Sequence, residues 1–210
     1  MKPDWTAPAT LLADAEWVRS RIGGAAKLYG CARPEVLGTI WWYSLSSVLV
    51  APALENLVTA TEPLADPSLA AIELDLLADG RFLGARSTRA LAGGLPELGA
   101  AFGAALGTAI ATIAAVTGAR ERALGAIATD SLGNRLLWTP DPERAMALAE
   151  PLVAAIGLDL PKPRFVRVGR TPAVRRASCC LIYEVGNPKC VSCPRQTPAE
   201  REARLRAALG

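Results

Sequence analysis

Two stretches of the chain, 36–54 and 98–118, carry no charged side chain. Each is close to the length of a bilayer span. Such segments must be buried, either in lipid or at the centre of a fold. The first contains Ser44, Ser46, Ser47 and Pro52, and the second is mostly Ala, Gly and Thr. Arginines stand on both sides of the second, Arg86 and Arg89 before it and Arg120 and Arg122 after it, so no positive-inside asymmetry is present. These features predict buried helices of a bundle, with no integral membrane span.

Local punctuation supplies the other elements. A first helix is predicted over 8–22, ended by Gly23-Gly24. A second starts at Pro34, with proline at the first helical position, and runs to about Thr59 with a kink or break at Pro52. Residues 72–77 and 81–85, joined by Asp79-Gly80, read as a β-hairpin. Further helices are expected over 95–116, over 120–138 and from Asp141-Pro142-Glu143 to about Ile156. Residues 164–168 and 178–184 read as short strands. Thr197-Pro198-Ala199-Glu200 is a capping box that starts a last helix ending near Leu209. The fold class is α+β, mainly helical: a helical domain over 1–160 with a small β-sheet, then a short C-terminal cysteine module over 161–210.

The chain has no histidine. That excludes a Ser-His-Asp triad, a Cys-His pair, a histidine-bearing zinc site and a Rieske centre. Any chemistry therefore falls to a cofactor. Four of the five cysteines, Cys179, Cys180, Cys190 and Cys193, crowd into fifteen residues near the C-terminus. The opening Met1-Lys2-Pro3-Asp4-Trp5 has no basic-then-apolar leader pattern. A reducing cytoplasm is the expected compartment, and there such a cluster holds metal rather than disulfides.

The motif reads Cys179-Cys180, nine residues, then Cys190-Val191-Ser192-Cys193-Pro194. Cys-x-x-Cys brings two sulfurs within reach of one metal. Gly186, Asn187 and Pro188 form a turn that folds one pair back over the other. Adjacent side chains on a regular strand point to opposite faces, so the backbone must bend at Cys179-Cys180. Spacing alone leaves two main readings, an iron–sulfur centre or a four-thiolate zinc site.

The arrangement of a Cys-Cys pair followed by Cys-x-x-Cys at the extreme C-terminus resembles the ferric-siderophore reductase family (FhuF-like). The likeness extends over 175–194 and includes an arginine before the pair, Arg175 or Arg176, and Tyr183 after it. The resemblance implies that Cys179, Cys180, Cys190 and Cys193 ligate a [2Fe–2S] cluster. It also implies an oxidoreductase that passes one electron to a ferric siderophore, with a hydroxamate type as the family's guess, so that Fe(II) is released for iron acquisition. Oxygen ligands that hold Fe(III) tightly hold Fe(II) less well, so one electron suffices. Gly93-Gly94 and Gly103/Gly107 form neither GxGxxG nor a P-loop. Electrons are therefore expected from a partner such as a ferredoxin or a flavin reductase.

Charge adds to this. Residues 160–210 hold 11 Lys/Arg against 3 Asp/Glu, and residues 1–159 hold 12 against 17. Arg170, Arg175, Arg176, Lys189 and Arg195 lie near the cysteines in sequence, where positive charge would stabilise a reduced cluster and steer an acidic donor or an anionic ferric complex. Two rivals remain at this point. One is a zinc knuckle with a basic nucleic-acid-binding tail, which the scarcity of tail aromatics (Phe165, Tyr183) disfavours. The other is a [2Fe–2S] electron carrier without siderophore turnover. Trp41, Trp42 and Tyr43 fan around a helix, so packing is expected for most of them and a pocket wall for one. Trp138 with Arg135 is expected to pack, Asp130-Ser131 has no evident partner, and Cys31 stands apart as a free thiol.

Overall fold

The computed structural model describes residues 2–59 and 63–209. Among these described residues six helices carry the fold: α1 (Ala15–Tyr29), α2 (Pro34–Thr59), α3 (Leu95–Thr117), α4 (Glu121–Leu137), α5 (Pro142–Ile156) and α6 (Pro198–Leu209). Seven short strands accompany them: β1 (Trp5–Pro8), β2 (Leu64–Ala65), β3 (Ile72–Leu76), β4 (Phe82–Ser87), β5 (Ala90–Leu91), β6 (Phe165–Val168) and β7 (Thr171–Val174). The α+β, mainly helical class holds.

Helix α2 is the axis of the molecule. It packs against α1, α3, α4 and β4. Buried residues run along it from Val36 to Val58, with large side chains on all sides. A helix apolar all round belongs in a core. Each fully buried Val, Leu or Ile is worth roughly 1.5–3 kcal/mol, which explains why α2 continues through Pro52 rather than stopping there. Helices α2 and α3 are both long and apolar enough to cross a membrane. Within the fold most of α2 is covered, whereas α3 buries one face and leaves Ala100, Ala104, Ala111 and Ala115 outside.

The glycines of α3 serve close approach. A Cβ at Gly99 would overlap Ala155, and one at Gly103 would overlap the Ile156 carbonyl oxygen, both on α5. Gly103→Ala is therefore expected to lower stability by about 1–3 kcal/mol through overpacking, against a gain of at most about 1 kcal/mol in helix propensity. A urea melt followed by circular dichroism reads it, and an unchanged midpoint would contradict the close α3–α5 contact.

The predicted hairpin is β3–β4, with Gly80 at φ 83° in its turn. Ile72, Leu74 and Leu76 face inward. Arg86 clamps the outer face, bridging Glu73 and Asp75 at 2.5 and 2.7 Å. Strand β1 adds antiparallel to β3, giving the order β1-β3-β4.

Three sequence expectations need correction. The first helix does not span 8–22: Trp5–Pro8 is strand, Ala9–Ala13 is a 3-10 turn, and α1 starts after Asp14, whose carboxylate accepts from the Glu16 and Trp17 N–H groups. Gly23-Gly24 lies inside α1, which ends at Gly30 in the left-handed region. Residues 178–184 are not a strand: β6 pairs with β7, and 178–184 is irregular and leads into a 3-10 turn at Ile182–Val185. Tyr183 thus sits on a turn rather than a strand.

Candidate metal centre

The irregular backbone at 178–184 is what two adjacent cysteines require. Leu181 is the one non-glycine with positive φ among the described residues, at 60°. This left-handed bend turns the Leu181 N–H towards the Cys179 sulfur and the Ile182 N–H towards the Cys180 sulfur. Successive amides presented to one side in this way favour negative charge. Gly186, also left-handed at φ 84°, then reverses the chain. A further turn closes at the second pair, where the Cys193 N–H donates to the Cys190 carbonyl at 3.1 Å. Gln196 reinforces it through Nε2 to the same carbonyl at 2.8 Å. The α6 capping box forms as expected, with Thr197 N–H to Glu200 at 2.9 Å and Glu200 N–H to Thr197 at 3.3 Å. Arg204 of α6 holds the loop through the Lys189 carbonyl at 3.0 Å.

These turns bring all four cysteines together. None is in a disulfide; Cys180 and Cys193 are buried, Cys179 and Cys190 half-buried. The sulfurs meet two and two. Cys179 Sγ lies 3.9 Å from Cys193 Sγ, and Cys180 is electrostatically coupled to Cys190. Two thiolates on one tetrahedral metal at ~2.3 Å stand ~3.8 Å apart, so the first spacing suits a shared metal. Among the described residues no group of three or more Cys, Asp or Glu side chains surrounds one ion-sized point. Burial pushes the Cys179 thiol up. In the Cys180–Cys190 pair the Cys190 thiol, the Ile182 N–H and Arg176 pull the Cys180 thiol down, while Cys180 and burial push the Cys190 thiol up.

Of the five basic residues flagged near the cysteines, Arg176 donates a hydrogen bond to one of them. Arg176 Nη1 donates to Cys190 Sγ at 3.1 Å. Its guanidinium lies over the Tyr43 ring at 4.7 Å and its side chain is 2% exposed. Burial opposes its charge, but Tyr43, Cys190, Asp130 and Cys180 more than offset that and keep it protonated. Its Nη2 is buried without an acceptor among the described atoms. Lys189 instead caps the Arg195 carbonyl at 3.1 Å, and Arg170 and Arg175 are exposed.

Asp130, for which the sequence offered no partner, anchors the site. It lies on α4, 2% exposed, and accepts from the Ala177 N–H (2.9 Å), the Ser178 N–H (3.0 Å) and the Ser178 hydroxyl (2.5 Å). Arg176 Nε stands 3.4 Å away. Burial raises its carboxyl pKa, while Ser178, Ala177 and Arg176 pull it back down. One carboxylate therefore fixes the three residues before the Cys-Cys pair to the helical core. The available signal was an acidic residue in the otherwise uncharged run 123–134 of α4. Its neighbour Ser131 bonds Ser46 of α2 at 2.7 Å.

The other flagged residues divide clearly. Trp42 is fully buried and donates to the Leu124 carbonyl at 2.8 Å. Trp41 stacks edge-on with Trp17 and Phe82. Tyr43 supports Arg176. Trp138 is 69% exposed, stacked on Arg135 at 4.1 Å. Cys31 is remote from the four-cysteine motif in sequence, and its N–H bonds the Ala26 carbonyl at the end of α1.

The donor set suits an iron–sulfur cluster. It offers soft thiolates in two pairs, amides turned towards sulfur, and a buried cationic donor with an N–H to spare for a further sulfur acceptor. Residues 176–195 match the family model of the FhuF 2Fe-2S C-terminal domain. No curated protein and no solved structure matches the chain. A mainly helical α+β fold thus carries a C-terminal segment similar to an iron–sulfur domain. By its C-terminal segment the chain is FhuF-like, and the cofactor that segment indicates is a [2Fe–2S] cluster.

Proposed function

We propose that Cys179, Cys180, Cys190 and Cys193 hold the [2Fe–2S] cluster and that the protein reduces a ferric siderophore, releasing Fe(II). The observation that carries this reading is the two-and-two pairing of the sulfurs beneath Arg176. When bound, the cluster supplies one electron at a time. The chain's residues do the rest. Cys180, Cys193 and Arg176 are buried, which keeps water from the thiolates. Asp130 holds the 176–178 segment in place, and Arg176 sets a positive charge against sulfur. No general acid, base or nucleophile is needed, in keeping with a chain without histidine. Residues 161–210 act as the cluster-bearing module on the helical domain 1–160. The donor is a ferredoxin or a flavin reductase, and the setting is the cytoplasm.

Rapid mixing of the anaerobically reduced protein with ferric siderophores tests the reaction, with a ferrous chelator to trap product. Reoxidation with matching Fe(II) release is expected. Reoxidation no faster than that of an unrelated low-potential ferredoxin would leave only an electron carrier.

Arg176→Gln removes the charge beside Cys190 while keeping a hydrogen-bonding side chain. The midpoint potential is expected to become more negative, because the reduced cluster loses a stabilising cation. Potentiometric titration followed by EPR measures it. An unchanged or higher potential would contradict the assigned role.

A further inference from the structure

A cavity of about 630 Å³ opens beside the thiolate site and has Cys179 in its wall. Its other walls come from the start of α2, the α3–α4 turn and the stretch 159–161. The volume lies in the range of small-molecule sites. Cys179 is thus the one cysteine of the four that both belongs to the site and borders a space large enough for a ligand.

The charge of that space has a sign. Arg120, Arg122 and Arg195 line it, against Glu35 and Asp159. None of the three arginines is in an ion pair with a described carboxylate, whereas Arg33, Arg81, Arg86, Arg89, Arg167, Arg176 and Arg206 all are. Helix α4 also begins in this wall, and its N-cap residue Arg120 makes no side-chain cap. The positive end of the helix dipole adds to the arginines. Arginine forks prefer carboxylate oxygens, which they bind in pairs.

We infer that this cavity is the substrate site and that it takes a ferric chelate of net negative charge, one with carboxylate groups outside the iron's coordination shell. The inference rests on the siderophore-reductase reading and narrows it to a charge class. Arg120 and Arg122 meet the carboxylates from α4, and Arg195 meets them from the cysteine loop. The iron end of the ligand then lies towards Cys179.

Gallium(III) chelates test binding without turnover, because the metal is not reduced under these conditions. The probes are gallium(III) citrate, which is anionic, and gallium(III) tris(acetohydroxamate), which is neutral. Binding to the whole protein is read by calorimetry across a salt series. The anionic chelate is expected to bind and to weaken with salt. In the Arg120→Ala/Arg122→Ala variant it should weaken by about tenfold or more. Glu35→Gln removes a wall anion and should tighten it instead. Equal binding of both probes, no binding of the anionic one, or no response to either variant would overturn the inference. A separate readout isolates the reading beneath it. If ferric citrate and ferric acetohydroxamate reoxidise the reduced protein equally and independently of Arg120 and Arg122, only the cavity assignment fails. If no ferric chelate reoxidises it, the reductase reading fails.

Discussion

Asp130→Ala is expected to destabilise the protein by about 3–5 kcal/mol, the usual cost of removing one partner from a buried charged network. The carboxylate accepts three hydrogen bonds from Ala177 and Ser178 and stands against a guanidinium that is itself buried. Without it, the Ala177 and Ser178 N–H groups, the Ser178 hydroxyl and the Arg176 charge lose this partner together. The segment that leads into Cys179-Cys180 is then released from α4. Denaturant melts should show the loss, and iron retained after desalting should fall in parallel. Asp130→Asn keeps an acceptor oxygen but no charge, so it should recover part of the stability. A variant with wild-type stability and iron content would mean that the α4 anchor is incidental.

Cys190→Ser is expected to abolish the visible spectrum of the cluster while leaving most of the helical signal. Helices α1–α5 share one apolar core that does not include the cysteine loop. Cys190 is where the Arg176 donor and the Cys180 partner meet. A hydroxyl there is a harder and less acidic ligand than a thiol. Cys31→Ser is the control and should retain full colour, since that thiol is remote from the motif in sequence. Loss of colour in Cys31→Ser, or its retention in Cys190→Ser, would redraw the ligand set.

Much of this architecture could be read from short-range signals. Pro34, the Asp79-Gly80 turn, the Asp141-Pro142 start and the Thr197–Glu200 capping box each act within a few residues, and each stands where expected. The misread parts depend on distant partners. Trp5–Pro8 becomes a strand only because β3, about seventy residues on, offers an edge. Residues 178–184 alternate like a strand, yet Asp130 from α4 and the needs of two adjacent thiols bend them. The cysteines announced a metal site by spacing. The carboxylate that positions them did not, because its partners lie 46–48 residues further along the chain. The cavity was equally invisible, since its arginines come from the start of α4 and the C-terminal loop.

The most direct test of the central claim is metal and sulfide analysis of the anaerobically purified protein, with EPR of the dithionite-reduced sample. Iron and acid-labile sulfide in equal amounts, with a signal from a one-electron-reduced [2Fe–2S] centre, is the predicted result. Stoichiometric zinc with no labile sulfide would contradict it.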